Sequence, residues 1–270
     1  MSADVGLLVI HGIGAQKKGF ADPFIEETNG RVEKAGFSSS QLAWETAYWA
    51  DITEPTQRSY LKRANVSNDL DYIKLRQVVL SALGDASAYQ KVPGEPAGSV
   101  YNQIHARIRS AISRLYESGL DGQPKPLIVC AHSLGGHIMS NYIWDMQRHP
   151  DKSLSPFERM EKLTGLITFG CNIPLFTFSH ADPKPIKFPP KKLSPALLKK
   201  ARWDNYFDPD DVLGYPLKPI NEAYGKTVNS DIAINVGGWA SSWQPQSHTK
   251  YWTDNDFTRP VARYICKFLS

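Results

Sequence analysis

A mostly parallel, doubly wound α/β sheet is the fold class this sequence predicts, and three observations predict it. Short, wholly apolar runs recur, such as Val5 to Ile10 and Leu127 to Ala131, as in strands buried on both faces. Between them lie stretches with apolar residues three and four apart, the spacing of helices that bury one face. The two patterns alternate along most of the 270 residues, the order that builds a parallel sheet covered on both sides.

The elements follow in order. Val5 to Ile10 reads as a central strand and runs straight into His11-Gly12-Ile13-Gly14. Glycines there let the chain turn tightly and bring N–H groups above the sheet edge, although glycines after a strand also make plain turns. Asp22 to Lys34 reads as a helix, with Pro23 in its first turn, Phe24, Ile25, Thr28 and Val32 roughly on one face, and Gly36 as its stop. Leu42 to Ala50, aromatic-rich and partly alternating, reads as a second strand. Residues 51–96 are more polar, with Leu70, Ile73, Val79, Leu80 and Leu83 at imperfect helical spacing. They form a helical excursion at the ligand-facing edge and a candidate cap. Ser99 to Ser118 is a clear amphipathic helix, with Val100, Ile104, Ile108, Ala111, Ile112 and Leu115 on one face and Gly119 after it.

A strand ending in Cys130-Ala131-His132-Ser133-Leu134-Gly135-Gly136 comes next, and a helix over His137 to Gln147 follows at once. A short helix over Pro156 to Leu163 and a strand over Gly165 to Phe169 continue the alternation. Residues 171–200 interrupt it as an insertion. Strands over Ala201 to Phe207 and Asp231 to Val236 resume it. A helix over Asp256 to Leu269 closes the chain, with Phe257, Val261, Ile265 and Leu269 on one stripe. The expected organisation is one domain over residues 1–270, with candidate cap segments at 51–96 and 171–200.

Composition narrows the function. Apolar residues make up 41% and charged residues 21%, ordinary for a globular chain. The net charge of +4, from 31 basic and 27 acidic residues, does not indicate a nucleic-acid binder. No apolar stretch reaches the length of a membrane helix, and Asp4 stands where a secretory leader would be basic, so the expected location is cytoplasmic. Cys130, Cys171 and Cys266 lack paired-ligand spacing and read as free thiols, with no metal and no cofactor expected.

The strand–turn–helix around Ser133 puts a hydroxyl at the apex of a sharp turn, with the next backbone N–H facing the same space. Such a serine needs a base in reach and an acid to orient the base, and in open α/β sheets both come from loops at strand carboxyl ends. His132 adjoins the serine and should point to the other side of its strand end. His105, His137 and His149 fall in helices or at their ends. His248 lies late, in the loop Gln244 to Trp252 before the closing helix, where a base would sit. The acid is sought in Asp208-Pro209-Asp210-Asp211 after the strand Ala201 to Phe207. Asp211 is the first choice, because Val212 and Leu213 place it at the edge of the core, and Asp208 is the second.

Together His11-Gly12-Ile13-Gly14, Ala131-His132-Ser133-Leu134-Gly135-Gly136, the Asp211 loop and Ser247-His248-Thr249-Lys250-Tyr251-Trp252 resemble the α/β-hydrolase superfamily, in its lipase and esterase-like branch. The chain order Ser, Asp, His is the one that superfamily uses. The resemblance implies a serine hydrolase acting on a small-molecule or lipid ester, with Ser133 as nucleophile, His248 as general base and acid, and Asp211 fixing the imidazole tautomer. It also implies an oxyanion hole from the backbone N–H groups of Ile13 and Leu134, with His11, Gly12, Gly14, His132 and Gly135 as supporting motif residues. Ala131 stands where the motif usually has glycine, and the strands that often precede the His-Gly strand are expected to be absent, which gives a trimmed version of the fold. A non-catalytic binding module, or a thioesterase or acyltransferase on the same residues, are the alternatives.

The insertion from Asn172 to Lys200 sets Leu175, Phe176, Phe178, Ile186 and Phe188 beside six lysines. It reads as a proline-stiffened surface loop, because its apolar residues have no clean amphipathic period. The other reading is a lid making transient contact with a membrane surface.

Overall fold

The computed structural model describes residues 3–14, 16–91, 94, 96, 98–237 and 247–269. Six strands, β1 (Val5–Ile10), β2 (Leu42–Ala47), β3 (Leu127–His132), β4 (Leu163–Phe169), β5 (Arg202–Phe207) and β6 (Ser230–Ala233), form one sheet in the order β2-β1-β3-β4-β5-β6. Every neighbouring pair is parallel. The chain steps outward from β1 to β2, then returns past β1 to start β3 and proceeds to the other edge. The strand order therefore reverses between β1 and β3, and the loops leaving their carboxyl ends diverge to open a crevice.

The alternation of side chains on the central strands divides the core in two. Val5, Leu7, Val9, Ile128 and Cys130 face the layer formed by α1 (Asp22–Lys34) and the closing helix at Asn255–Cys266, which inserts Phe257, Val261 and Ile265. Leu8, Ile10, Leu127, Val129 and Ala131 face the opposite layer, where Ile104, Ile108 and Ile112 meet Ile138 and Met139. Full burial of each such aliphatic or aromatic side chain contributes about 1.5–3 kcal/mol.

The remaining helices are α2 (Ala50–Asn68), α3 (Ile73–Ala88), α4 (Val100–Arg114), α5 (Leu134–Arg148), α6 (Ile173–Thr177), α7 (Pro195–Lys200), α8 (Glu222–Thr227), α9 (Ser247–Lys250) and the closing α10 (Asn255–Cys266). The excursion 51–96 is thus a helical hairpin, α2–α3, with Val92, Pro93 and Glu95 outside the described residues. The insertion 171–200 is pinned to the body. Ile186 and Leu193 are buried, Phe176 and Phe188 pack on the core, and Gln147 exchanges two hydrogen bonds with the Lys187 backbone.

Several element bounds differ from the sequence reading, each for a local reason. β2 ends at Ala47 because His11 draws the chain aside: the Trp49 N–H donates to His11 Nε2 at 3.0 Å and the Trp49 indole N–H to the His11 carbonyl at 3.1 Å. No helix forms over Pro156 to Leu163. Ser155 and Glu158 exchange the reciprocal hydrogen bonds of a capping box, but Met160 turns left-handed at φ 61° and stops the winding. β4 then gains Leu163 and Thr164. β6 stops at Ala233, because the Val236 N–H donates at 2.7 Å to the Asp208 carboxylate rather than to a strand. α4 gives way after Arg114 to a wider π turn over Leu115–Gly119.

Candidate active site

Three loops at the carboxyl edge of the sheet meet at the β1/β3 crevice. β3 delivers Ser133 at its end, and α5 begins at the very next residue rather than at His137. A turn that abrupt forces Ser133 to φ 53°, ψ −126°, a conformation that costs a non-glycine residue about 1–3 kcal/mol. The turn is held at both ends: the Ser133 N–H donates to the Phe169 carbonyl at 3.0 Å and the Gly136 N–H to the Ser133 carbonyl at 2.9 Å. It also needs small residues. A Cβ on Gly135 would stand 2.6 Å from the His11 carbonyl oxygen, and one on Gly136 would stand 2.6 Å from Cys171 Sγ.

His248 reaches the same point from α9, a single helical turn rather than the plain loop the sequence suggested; Gln244 to Gln246 of that stretch lie outside the described residues. The Ser133 hydroxyl lies 2.7 Å from His248 Nε2, and His248 Nδ1 lies 2.8 Å and 3.0 Å from the two carboxylate oxygens of Asp211. All three side chains are buried. Asp211 also accepts the Leu213 N–H and the Tyr251 hydroxyl, both at 3.0 Å. Burial works against its charge, but the hydrogen bond and positive potential of His248, together with these two donors, outweigh it and hold the carboxyl below its usual range. An ionised Asp211 accepts from Nδ1–H and leaves Nε2 as the acceptor for the serine hydroxyl.

Asp208, the second candidate acid, is placed differently. One carboxylate oxygen accepts the Asp210 N–H at 2.9 Å and the other the Val236 N–H at 2.7 Å. It therefore shapes the β5 loop and faces backbone rather than His248.

The His-Gly loop after β1 completes the crevice. His11 is buried, and burial lowers its pKa to about 4 against a raising hydrogen bond to Gly12, so the ring is neutral. Its tautomer follows from its partners. Nε2 accepts from the Trp49 N–H, so Nδ1 carries the proton and donates to the Gly12 carbonyl at 2.7 Å. In a trans peptide the N–H of the next residue points opposite to that carbonyl, so the Ile13 N–H faces away from His11. Gly12 lies directly against the serine, since a Cβ there would come within 2.4 Å of Ser133 Cβ and 2.9 Å of its Oγ. Gly14, at φ 94°, donates its N–H at 3.0 Å to Asp85.

The sequence reading missed Asp85 and the contacts made around this site by Tyr251 and His132, both of which stand in its motifs. Asp85, at the base of the α2–α3 hairpin, is 2% exposed and ties the Gly14 N–H to Gln57 Nε2, 2.7 Å away on α2. Burial raises its pKa, against the lowering bonds from Gly14, Thr53 and Gln57. Tyr251 bridges the two aspartates of the β5 loop: its hydroxyl accepts the Asp208 N–H at 2.9 Å and donates to Asp211. His132, expected as a motif residue pointing away from Ser133, sits among Phe169, Tyr251 and Trp252 and donates Nε2–H to the His248 carbonyl at 2.7 Å. Its burial keeps it neutral, and it props the turn that carries His248.

The reversal of strand order at β1/β3, the strained serine turn leaving β3 and the aspartate loop leaving β5 fall in one arrangement. The fold is a doubly wound α/β sheet of six parallel strands, with the serine turn at the point where the strand order reverses. No family model matches the sequence, and no curated protein does. Among solved structures, it is similar to a lipase-esterase related protein from Clostridium acetobutylicum ATCC 824, at 11% identity and a TM-score of 0.41 over 99% of this chain and 95% of that one. It is also similar to Est1E from Butyrivibrio proteoclasticus, at 10% identity and a TM-score of 0.36 over 99% and 89% of the two chains.

Proposed function

We propose that the protein is a serine hydrolase that cleaves a carboxylic ester through an acyl-enzyme intermediate. The observation that supports it most directly is the continuous line from Ser133 Oγ through His248 to Asp211, with bonds of 2.7 Å and 2.8 Å.

In this reading His248 Nε2 takes the Ser133 proton as Oγ attacks the ester carbonyl carbon, and the carbonyl oxygen becomes an oxyanion. The N–H groups of Ile13 and Leu134 receive that charge. Leu134 is the first residue of the 15-residue α5, so the positive end of the helix dipole adds to its N–H. The imidazolium, balanced by Asp211, returns the proton to the leaving alkoxide, which departs as an alcohol and leaves the acyl group on Ser133. A water then repeats the sequence. His248 takes its proton, its oxygen attacks the acyl carbon, and the serine recovers its hydrogen as the carboxylic acid leaves. The residues suffice for both half-reactions, with a small-molecule or lipid ester as substrate.

A fluorophosphonate probe tests this. Labelling at Ser133, lost in Ser133→Ala, together with turnover of p-nitrophenyl esters by the wild type only, is the expected result. A folded wild-type protein that neither labels nor hydrolyses any ester of a chain-length series would overturn the proposal in favour of a binding module.

A further inference from the structure

Of the twelve large hydrophobic side chains exposed among the described residues, eight lie between positions 60 and 83. They are the surface of the α2–α3 hairpin. Val66 and Tyr72, at its tip, are each 79% exposed. Along α3, Leu75, Val79 and Leu83 are between 46% and 67% exposed, and their spacing of four residues puts them on one face of the helix. The opposite face holds Ser81 and Asp85, which are buried against the body. This helix is therefore amphipathic in the reverse sense, with its apolar stripe turned away from the protein. Scattered exposed hydrophobics need no explanation, whereas a continuous stripe marks a contact surface.

Charge selects the occupant. Lys74 and Arg76 sit one residue to either side of Leu75 and so flank the stripe on its two margins. Arg58, Lys62 and Arg63 add to them, giving five basic residues from 58 to 76 against Asp69 and Asp71 alone. Lys62 and Lys74 make no ion pair among the described residues. Arg58 is paired with Glu54 on α2, so a second copy would bring Asp69 and Asp71 to meet the four cations Lys62, Arg63, Lys74 and Arg76. A layer of anionic headgroups over acyl chains matches both features: the stripe enters the apolar zone while the basic side chains extend back to the phosphates. No helix among the described residues is long and apolar enough to cross a membrane, so the contact is one of lying on the surface.

We infer that the outer face of the α2–α3 hairpin seats the protein on an anionic lipid surface. The inference rests on the hairpin and is independent of the hydrolase reading.

The test is co-sedimentation of the purified full-length chain with phosphatidylglycerol-containing vesicles and with pure phosphatidylcholine vesicles, at low and high salt. It is done on Ser133→Ala as well as the wild type, so that binding is read without turnover. Both proteins should bind the anionic vesicles, more weakly as salt rises, and bind phosphatidylcholine poorly. Each cation removed should weaken binding about fivefold, so Lys74→Ala with Arg76→Ala should weaken it roughly 25-fold. Leu75→Gln with Val79→Gln should abolish it. All these side chains are exposed, so thermal melts should be unchanged, and a melt that holds while binding is lost separates docking from misfolding. Failure of the wild type to bind anionic vesicles at low salt would overturn the inference, as would equal binding to both lipids. A dimer in light scattering that the Leu75/Val79 variant converts to monomer would also overturn it and assign the stripe to a second copy.

Discussion

Replacing each aspartate of the β5 loop by asparagine separates chemistry from architecture, because the two carboxylates do different things within three residues. In Asp211→Asn the side chain keeps its shape and one acceptor oxygen, which can still receive the Leu213 N–H or the Tyr251 hydroxyl. What it loses is the charge beside His248 and the certainty that an acceptor faces Nδ1. An amide NH2 turned toward Nδ1 stabilises the tautomer protonated at Nε2, which cannot take the serine proton. The expected loss is about 10⁴-fold in kcat, or ~5.5 kcal/mol of transition-state stabilisation. In Asp208→Asn the loss is structural. Both Asp208 oxygens accept backbone N–H groups, from Asp210 and Val236, and an amide can serve only one. One buried N–H then faces another donor, at a cost of about 1–3 kcal/mol. That corresponds to a fall in Tm of roughly 2–12 °C for a chain of this size, with kcat kept within a few fold. Stopped-flow or steady-state hydrolysis of an activated ester and differential scanning calorimetry on the two variants check this directly. If Asp208→Asn abolished turnover while Asp211→Asn retained it, the assignment of roles would be wrong.

Three further outcomes follow from the site. Gly12→Ala should lower kcat by about 10²-fold or more while leaving the far-UV circular dichroism intact, because a Cβ 2.4 Å from Ser133 Cβ must displace the serine or the loop; an unimpaired variant would show that the loop yields freely. Asp85→Ala should lower kcat roughly tenfold with little change in KM, since it releases Gly14 and thereby the loop carrying the Ile13 N–H, and Asp85→Asn, which keeps one acceptor, should recover part of it. A loss seen only in KM would contradict this reading of Asp85. Stability should fall as pH drops from about 6.5 to about 4. His11 and His105 have folded pKa values near 4, lowered chiefly by burial, so between those limits the unfolded chain binds more protons than the folded one. Each histidine contributes up to about 3 kcal/mol to that slope, and urea titrations across the range that showed flat stability would refute it.

The parts of the site that could be read in the sequence are those whose task dictates the local backbone. A serine at a strand-to-helix apex requires small neighbours, so Ser133 and Gly135 announce themselves; the same holds for Gly12, which must admit the serine. Chain order then points to a late histidine and an earlier strand-end aspartate. Val212 and Leu213 in the sequence place Asp211 at the edge of the core, yet Val212 is 76% exposed. What aims Asp211 at His248 is the turn closed by Asp208 and the hydroxyl of Tyr251. Residues that act by reaching across the fold left no such mark. Asp85 lies 71 positions from the glycine it holds, and nothing around it distinguishes it from a surface aspartate until the hairpin is folded back onto the β1 loop. The hairpin was legible as helix but not in its orientation. Ile73, Val79 and Leu83 at helical spacing look like residues seeking a core, because a period reports that one face is apolar and not which way that face turns. Their direction is decided by Asp85 and Ser81, whose burial takes up the inner face of α3 and commits the apolar stripe to the outside. The polar bond that steadies the β1 loop and the apolar surface offered to a lipid layer are therefore two sides of one helix.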